Sequence, residues 1–239
     1  MKKWALLTCD DMSAYVSDED SLDKKMSEIL GTQTHWHSWT APVDWSTYEL
    51  AILRTTWDYT TQREKFLNKL KSMQDNGVNL CNSYEVVAWN SHKSYLLDLA
   101  AQGVAIIKTL PLGELSAKTI FQQSSSWDSS QVILKPFVGA ASQGLKIYAN
   151  NLEGIESLLS QVNGQQGQWF LQPFHSEIAQ GEISLIFFNK KFSHGLLKRP
   201  KVGDFRSQEE FGSEILSYPP DSTEISFAEN ILQKISEDL

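Results

Sequence analysis

Short apolar runs alternate with segments of helical periodicity in the first third of the chain. Most of these runs are apolar on both strand faces, which is typical of parallel strands that helices cover on each side. The intervening segments carry apolar side chains at helical spacing, as amphipathic helices do. The predicted strands are residues 4–9, 34–39, 48–54 and 78–81, and the predicted helices are residues 20–30 and 62–76. This order predicts an α/β fold with a Rossmann-like domain over residues 1–85.

The rest of the chain predicts an α+β arrangement, which we divide into residues 86–168 and residues 169–239. From residue 169 onward the pattern favours antiparallel strands, because closely spaced strands follow one another without an intervening helix. The predicted helices are residues 90–102, 116–124, 152–162 and 223–239, and the predicted strands are residues 104–108, 131–135, 147–148, 170–174, 182–188 and 191–199.

The last two predicted strands flank Asn189 and Lys190, which form a two-residue hairpin connection. A turn of this length places Glu182 opposite Leu197 on the neighbouring strand. Because side chains alternate between the faces of a strand, this register puts Glu182 and Arg199 on the same face of the sheet. A slip of one residue would undo this arrangement.

The segment QVILKPFVGAASQG, residues 131–144, combines a buried strand with a loop of very small residues. Lys135 lies at the end of the strand, since the proline that follows cannot donate to a sheet ladder. A loop with almost no bulky side chain lets its backbone amides approach a ligand closely, as phosphate-binding loops require. A hairpin turn beside a solvated lysine gives the same pattern, so the segment alone leaves both interpretations open.

Composition and charge narrow the functional classes. A net charge of −8 over 239 residues excludes a broad nucleic-acid-binding face, and no apolar run is long enough to span a bilayer. The two cysteines do not suggest a disulfide framework. The apolar run at the start of the chain ends at Cys9-Asp10-Asp11, so it is shorter than the apolar region of a signal peptide. We therefore expect a cytoplasmic protein that binds a small molecule and no nucleic acid or membrane, and a homo-oligomer stays open.

Two further groups of polar residues are candidates for binding. Arg54 and Asp58 follow a predicted parallel strand, where ligands of open α/β sheets bind, although Asp58 is equally typical of a helix N-cap. Six basic residues concentrate between residues 190 and 206, inside an otherwise acidic protein. Lys190 and Lys191, at the hairpin turn, are expected to be solvated. Lys198, Arg199 and Arg206 are the candidates for binding in this segment.

In combination these motifs resemble the ATP-grasp superfamily, in particular its branch of glutathione-synthetase-like and cycloserine-ligase-like ligases. The resemblance covers roughly residues 50–215, and its specificity comes from the order of the motifs, since each motif alone is weak. The motifs are Asn90 with Lys93, Lys135-Pro136 before the small-residue loop, Gln172-Pro173-Phe174, Gly181-Glu182, Lys198-Arg199-Pro200 and Gly203-Asp204-Phe205-Arg206.

The resemblance implies an ATP-dependent ligase that activates a carboxylate as an acyl phosphate for attack by an amine, with a small amino-acid-like substrate. Two lobes would clamp ATP, with two lysines facing its phosphates, a small-residue lid, a hinge strand that reads adenine and an acid on the ribose. These nucleotide residues would be Lys93, Lys135, Gly139, Ala140, Ala141, Ser142, Gly144, Gln172, Pro173, Phe174 and Glu182. Arg199, with Lys198 and Arg206, would stabilise the acyl phosphate, and Arg54 and Asp58 would contact the substrate.

Two departures from the family pattern affect this expectation. Ser184 stands where glutathione synthetases carry a second arginine. The family also implies Mg²⁺ held by strands that would follow the last predicted helix, and no metal ligands are found in this chain. The nearest acids that could substitute are Glu209, Glu210 and Glu214, in a segment predicted to be a loop. The expectation is therefore a truncated or degenerate member of the family. The alternatives are a non-catalytic nucleotide-binding protein of the same fold, or a doubly wound protein that binds a sugar or amino acid.

Overall fold

The computed structural model describes residues 3–13, 15, 17, 19, 21–140, 142, 144–162, 164–207 and 211–235. These residues divide into two compact units, residues 3–91 and residues 92–235. The division of the second part into residues 86–168 and 169–239 stays a prediction. Within the described ranges, no helix is both long enough and apolar enough to cross a membrane.

The first unit is built on a parallel sheet, and this confirms the predicted Rossmann-like α/β fold. Its strands pair in the order β2-β1-β3-β4, and helices connect them. In chain order the elements are β1 Lys3–Thr8, α1 Leu22–Leu30, β2 Gln33–Ser38, β3 Leu50–Thr55, α2 Arg63–Asp75, β4 Asn79–Cys81 and α3 Tyr84–Asn90.

The core of the first unit forms where α2 covers the central strands. Ala5 and Leu7 of β1 are fully buried against Phe66 and Leu70 of α2. Trp39, which follows β2, packs edge-on against Phe66 with ring centroids 5.2 Å apart. The apolar run of β1 is explained by this position, because a central parallel strand has no solvent face.

The second unit begins with an antiparallel sheet of strand order β5-β8-β6-β7. Helices α5 and α6 supply Ile120, Ile155 and Leu158 to a core shared with Leu134 of β6 and Leu171 of β8. The elements are α4 Tyr95–Ala101, β5 Leu110–Pro111, α5 Ala117–Ser124, β6 Gln131–Pro136, β7 Lys146–Ala149, α6 Leu152–Val162 and β8 Trp169–Pro173.

A smaller antiparallel sheet of order β11-β10-β9 completes the second unit. It leaves large apolar side chains exposed, among them Ile183, Phe188 and Leu216. The sequence did not predict its edge strand, since the stretch around Glu214 was expected to be a loop. The elements are β9 Glu182–Phe188, β10 Lys191–Arg199, β11 Glu214–Tyr218 and α7 Ser222–Lys234.

The single helix predicted over residues 90–102 is wrong. Asn90 is the last residue of α3, and a turn that contains Lys93 separates α3 from α4. In this turn the Lys93 amide donates to the carbonyl of Phe137, 2.8 Å away, instead of to a helical carbonyl. A tertiary contact thus interrupts a segment of good helical periodicity.

The strand predicted over residues 104–108 is also wrong, because that segment is irregular and β5 starts only at Leu110. Leu110 pairs with Leu171 of β8, whereas residues 104–109 have not yet joined the sheet. The apolar pattern of the segment is real, but strand formation requires a hydrogen-bonding partner.

The β9–β10 hairpin has the predicted turn but a different register. Asn189 and Lys190 adopt φ values of 49° and 60°, as a two-residue connection of this type requires. A bulge between Phe192 and His194 shifts the pairing, so that Glu182 faces Lys198. The prediction that Glu182 and Arg199 share a face is therefore wrong, since adjacent residues of β10 point to opposite faces.

Candidate functional site

A cleft of about 370 Å³ lies in the second unit, and most of the residues predicted to bind a nucleotide line it. Its size is within the usual range for small-molecule sites. The predicted residues on its wall are Lys93, Lys135, Gly139, Ala140, Ser142, Gln172, Pro173, Phe174 and Glu182. Gly144 lies outside this lining, and Ala141 lies outside the described residues.

Two lysines bring positive charge into the cleft. Lys135 follows the buried residues Val132, Ile133 and Leu134 of β6, so the strand delivers its side chain to the cleft wall. Burial lowers the pKa of Lys93, and the nearby charge of Lys135 lowers it further. Burial also lowers the pKa of Lys135, although Glu182 opposes this effect. Two partly desolvated ammonium groups in one cleft favour an anionic ligand.

The small-residue loop after β6 is held to the turn that carries Lys93. The Lys93 ammonium donates to the carbonyl of Gly139 at 2.6 Å. A Cβ on Gly139 would lie 2.8 Å from the Pro136 ring, and Gly144 has φ +78° with a Trp169 ring carbon 3.3 Å from an added Cβ. Packing therefore requires glycine at both positions, in addition to any ligand.

The loop after β6 connects two antiparallel strands and also contributes to the cleft wall. β6 and β7 form an antiparallel hairpin in which Val132 pairs with Tyr148, and the loop connects these strands. Gly139, Ala140 and Ser142 of the same loop line the cleft. The side chain of Lys135 is partly buried, however, so the interpretation of a hairpin beside a fully solvated lysine does not hold.

The end of β8 offers backbone groups to the cleft. The Phe174 amide donates to the Gln131 carbonyl at 3.0 Å, and this bond ties it to β6. Since backbone groups alternate along an extended strand, the Pro173 carbonyl and the His175 amide point away from β6. On that side β5 begins at Leu110, opposite Leu171, so the part of β8 that follows Leu171 has no neighbouring strand there.

Glu182 and Ser207 meet at another part of the cleft wall. Ser207 is only 4% exposed, and its hydroxyl donates to Oε2 of Glu182 at 3.3 Å. Phe205, two residues earlier, packs edge-on against Phe174 with ring centroids 6.0 Å apart. Ser207, Phe205 and His175 were missed at the level of sequence. The signal for Ser207 was its place directly after the Gly203-Asp204-Phe205-Arg206 motif.

The three predicted catalytic cations do not line the cleft. Lys198 faces Glu182 across the hairpin, whereas Arg199 lies on the opposite face and its guanidinium is 3.9 Å from the Glu214 carboxylate. Arg206 binds Asp204 at 2.6 Å. This bond lowers the pKa of Asp204 and raises that of Arg206. Thus the structure brings together the predicted nucleotide set but not the predicted catalytic set.

Comparisons with known proteins agree with this geometry. Residues 105–238, more than half of the chain, match the family model of the prokaryotic glutathione synthetase ATP-grasp domain. Residues 4–82 match the model of the N-terminal domain of the D-cycloserine synthetase DcsG. The chain belongs to the ATP-grasp superfamily.

Individual relatives place the chain in the branch of the superfamily that sequence motifs indicated. It is 27% identical over 161 residues to the cycloserine biosynthesis protein DcsG of Streptomyces lavendulae, which is 65% of this chain and 54% of that protein. It is 32% identical over 103 residues to the glutathione synthetase of Prochlorococcus marinus (strain MIT 9313), 43% of this chain and 32% of that protein. The matches thus span about half of the first relative and about a third of the second.

A solved structure extends the likeness to the whole fold. The crystal structure of D-cycloserine synthetase DcsG superposes with a TM-score of 0.80 at 22% identity, covering 97% of this chain and 80% of that one. The ATP-grasp fold preceded by a Rossmann-like α/β domain is therefore confirmed.

Members of the ATP-grasp superfamily use ATP with Mg²⁺. None of the described His, Cys, Asp and Glu side chains form a group of three that could hold a metal ion. Of the acids considered as substitutes, Glu214 opens β11 beside Arg199, while Glu209 and Glu210 lie outside the described residues. The described part of the chain does not fit Mg²⁺, which needs several carboxylate or water oxygens in octahedral geometry.

In the first unit, Arg54 and Asp58 each have a protein partner. Arg54 Nε donates to Glu19 Oε2 at 3.0 Å, and the second arm of the guanidinium bonds the other oxygen. Asp58 accepts from the indole of Trp39 at 2.8 Å. The alternative of Asp58 as an N-cap is wrong, because Thr56 occupies that position of the 3₁₀ turn.

A crevice of about 340 Å³ lies where β1 and β3 end. In a sheet of order β2-β1-β3-β4, the connections leave β1 and β3 in different directions, and this is where open α/β sheets bind ligands. Thr8 and Thr55, the last residues of these strands, share a hydrogen bond of 2.6 Å between their hydroxyls. The crevice is lined by Thr8, Met12, Tyr15, Ser17, Glu19, Trp36 and Thr55.

Proposed function

We propose that this chain is an ATP-dependent ligase that activates a carboxylate for attack by an amine. The observation that supports this most is the convergence of two partly buried lysines and a small-residue loop on one cleft. A buried ammonium is costly unless an anion neutralises it, and a polyphosphate is a suitable anion. The same cleft carries hydrogen-bonding groups that suit a nucleoside.

Each part of the cleft has a proposed role toward ATP. Lys93 and Lys135 bind phosphate oxygens, and the amides of the small-residue loop cover them. The Pro173 carbonyl accepts from the adenine amino group, and the His175 amide donates to a ring nitrogen. Glu182 accepts from the ribose hydroxyls.

The proposed chemistry has two steps. A carboxylate oxygen of the substrate attacks the γ-phosphorus of ATP, and the bond between this phosphorus and the β–γ bridging oxygen breaks. ADP departs, and the substrate is now an acyl phosphate. The amine nitrogen then attacks the acyl carbon, inorganic phosphate departs, and the nitrogen loses a proton. Arg199, Lys198 and Arg206 stay proposed as the cations that stabilise the acyl phosphate, although in this structure they lie outside the cleft lining.

For the substrate we propose the first unit's crevice, beside Arg54. Its lining contains one carboxylate, Glu19, together with hydroxyls and the aromatic rings of Tyr15 and Trp36. Carboxylates and aromatic faces attract an ammonium group, and a guanidinium suits a carboxylate. Because Arg54 and Glu19 bond each other, a substrate that uses them would exchange places with this ion pair. An amino-acid-like substrate carries both groups. Asp58 is a weaker candidate, because the Trp39 indole already occupies one of its oxygens.

A non-catalytic nucleotide-binding protein is the second candidate. It is favoured by the lack of a metal-ligand group among the described residues and by the carboxylate partners of Arg199 and Arg206. Both candidates share the nucleotide cleft, so they differ only in turnover.

Two measurements test the proposal. We expect ADP and ATP to raise the melting temperature of the protein, since a ligand that binds only the folded state stabilises it. We then expect phosphate release from ATP, in a buffer with MgCl₂, that depends on an added amino acid. Hydroxylamine should attack the acyl carbon of the acyl phosphate, which gives a hydroxamate and inorganic phosphate. Absence of nucleotide stabilisation refutes both candidates. Stabilisation without substrate-dependent phosphate release across the proteinogenic L- and D-amino acids favours the non-catalytic candidate.

A further inference from the structure

Ser207 is a buried polar residue in the cleft wall for which the proposed reaction has no use. Its side chain donates to Oε2 of Glu182 at 3.3 Å, and its carbonyl accepts from the Ser213 hydroxyl at 3.0 Å. Only 4% of the residue is exposed, and it lines the cleft beside Phe205. Its hydroxyl therefore contacts Glu182, whereas its carbonyl contacts Ser213 of the same loop.

Glu182 needs such a partner to present a defined acceptor. It is the first residue of β9 and is exposed, and a solvated glutamate side chain samples several rotamers. A hydroxyl that donates to Oε2 favours the rotamers that keep this bond and leaves Oε1 available. An ionised carboxylate only accepts hydrogen bonds, and a ribose hydroxyl is a donor that matches it.

The ribose of a nucleotide presents two neighbouring hydroxyls, at the 2′ and 3′ positions. A 2′-deoxyribose lacks the 2′-hydroxyl and therefore offers one hydrogen-bond donor fewer. A carboxylate held in one orientation can receive both hydroxyls at once, whereas a mobile carboxylate gains less from the second. We propose that Ser207 is a positioning residue that makes the cleft select ribonucleotides over 2′-deoxyribonucleotides by orienting Glu182. This inference rests on the proposed nucleotide site.

The test compares the dissociation constants of ADP and 2′-deoxyADP by isothermal titration calorimetry. We expect the wild-type protein to bind ADP about 3- to 10-fold more tightly than 2′-deoxyADP. This ratio of dissociation constants corresponds to the net contribution of one hydrogen bond. Ser207→Ala should weaken ADP binding and leave 2′-deoxyADP binding nearly unchanged, so that the ratio falls toward one. Ser207→Cys, which is close in size and a poor donor, should lower the same ratio and carries the test if the alanine variant does not fold.

Ser213→Ala is the matched control, because it removes the other bond of the loop without touching Glu182. It should change both affinities by the same factor and keep the wild-type ratio, whereas Ser207→Thr, which keeps a hydroxyl, should retain most of it. A wild-type ratio of one, or a Ser207→Ala and Ser207→Cys pair with the wild-type ratio, overturns the inference while leaving the nucleotide site intact. If the wild-type protein does not bind ADP at all, the proposed function itself is refuted.

Discussion

The lysines of the cleft and the arginines near β10 differ in how their charges are balanced. Lys93 and Lys135 are largely buried, and the ammonium of Lys93 bonds a backbone carbonyl instead of a carboxylate. Arg199 and Arg206 are partly exposed and each lies beside a carboxylate. The cleft holds these two lysines and one carboxylate, Glu182, so net positive charge is left there for a ligand. The charges of Arg199 and Arg206 are instead balanced within the protein.

Under the proposed function, the number of basic residues in a segment is a poor guide to anion binding. Residues 190–206 contain more basic side chains than the cleft does, yet solvent and acidic neighbours screen them. Desolvation makes the two cleft lysines more sensitive to an anion, because a buried charge interacts more strongly than an exposed one. We therefore expect substitutions of the cleft lysines to lower nucleotide affinity more than substitutions of the basic residues in the segment 190–206.

Lys135→Ala should have the largest effect. Its ammonium is partly desolvated, and a lost hydrogen bond to a charged phosphate weakens binding by roughly 10- to 100-fold. Calorimetric titration with ADP measures this change, and Lys190→Ala, at the exposed hairpin turn, should stay within about twofold, as expected of surface charges. Equal effects of the two substitutions would contradict the proposed phosphate site.

Lys93→Ala should have the next largest effect. Part of its hydrogen-bonding capacity is engaged by Gly139, so the loss in ADP affinity should be about fivefold to twentyfold. The same variant frees the loop, which should become more sensitive to limited proteolysis in the absence of nucleotide. An unchanged cleavage rate would show that the Lys93 bond does not hold the loop.

Nucleotide affinity should also decline at alkaline pH. Burial lowers the pKa of Lys93 and Lys135 below the usual 10.5, so the unbound folded state loses protons before the unfolded state does. Within that window the stability of the unbound protein rises with pH, while binding of phosphates, which needs the ammonium forms, weakens. ADP titrations across this range measure the decline, and Lys135→Arg should reduce it because a guanidinium stays protonated. A decline of the same size in that variant would exclude Lys135 as its source.

Arg199→Ala should have the smallest effect on affinity. Its exposed pair with Glu214 contributes at most about 1 kcal/mol to stability, so the protein should fold and bind ADP within about twofold of the wild type. If Arg199 stabilises the acyl phosphate, turnover should nevertheless fall about 100-fold, as for a transition-state contact. Steady-state phosphate release measures it, and a drop in ADP affinity comparable to that of Lys135→Ala would place Arg199 in the nucleotide site and remove the contrast between the two sets of cations.

Several features were predictable because their signals are local. The buried run before Lys135, the proline after it and the glycines of the following loop lie within a few residues of one another. The Asn189-Lys190 turn was likewise predictable, since its backbone conformation follows from the turn length. These local signals were enough to predict the position of Lys135 and its loop, whereas Lys93 and the end of β8 were predicted from the resemblance to the ATP-grasp superfamily.

Other features depended on partners far away in the chain. Residues 104–108 have an apolar pattern but no neighbouring strand, and the bulge between Phe192 and His194 shifts the face on which Arg199 lies. The contact of Ser207 with Glu182 joins a loop to a strand 25 positions earlier. Sequence periodicity reports which side chains prefer burial, and this was sufficient for the sheet of the first unit and for β6, which carries Lys135. Which carboxylate neutralises which cation depends on strand register and side-chain direction, and only the folded chain sets these.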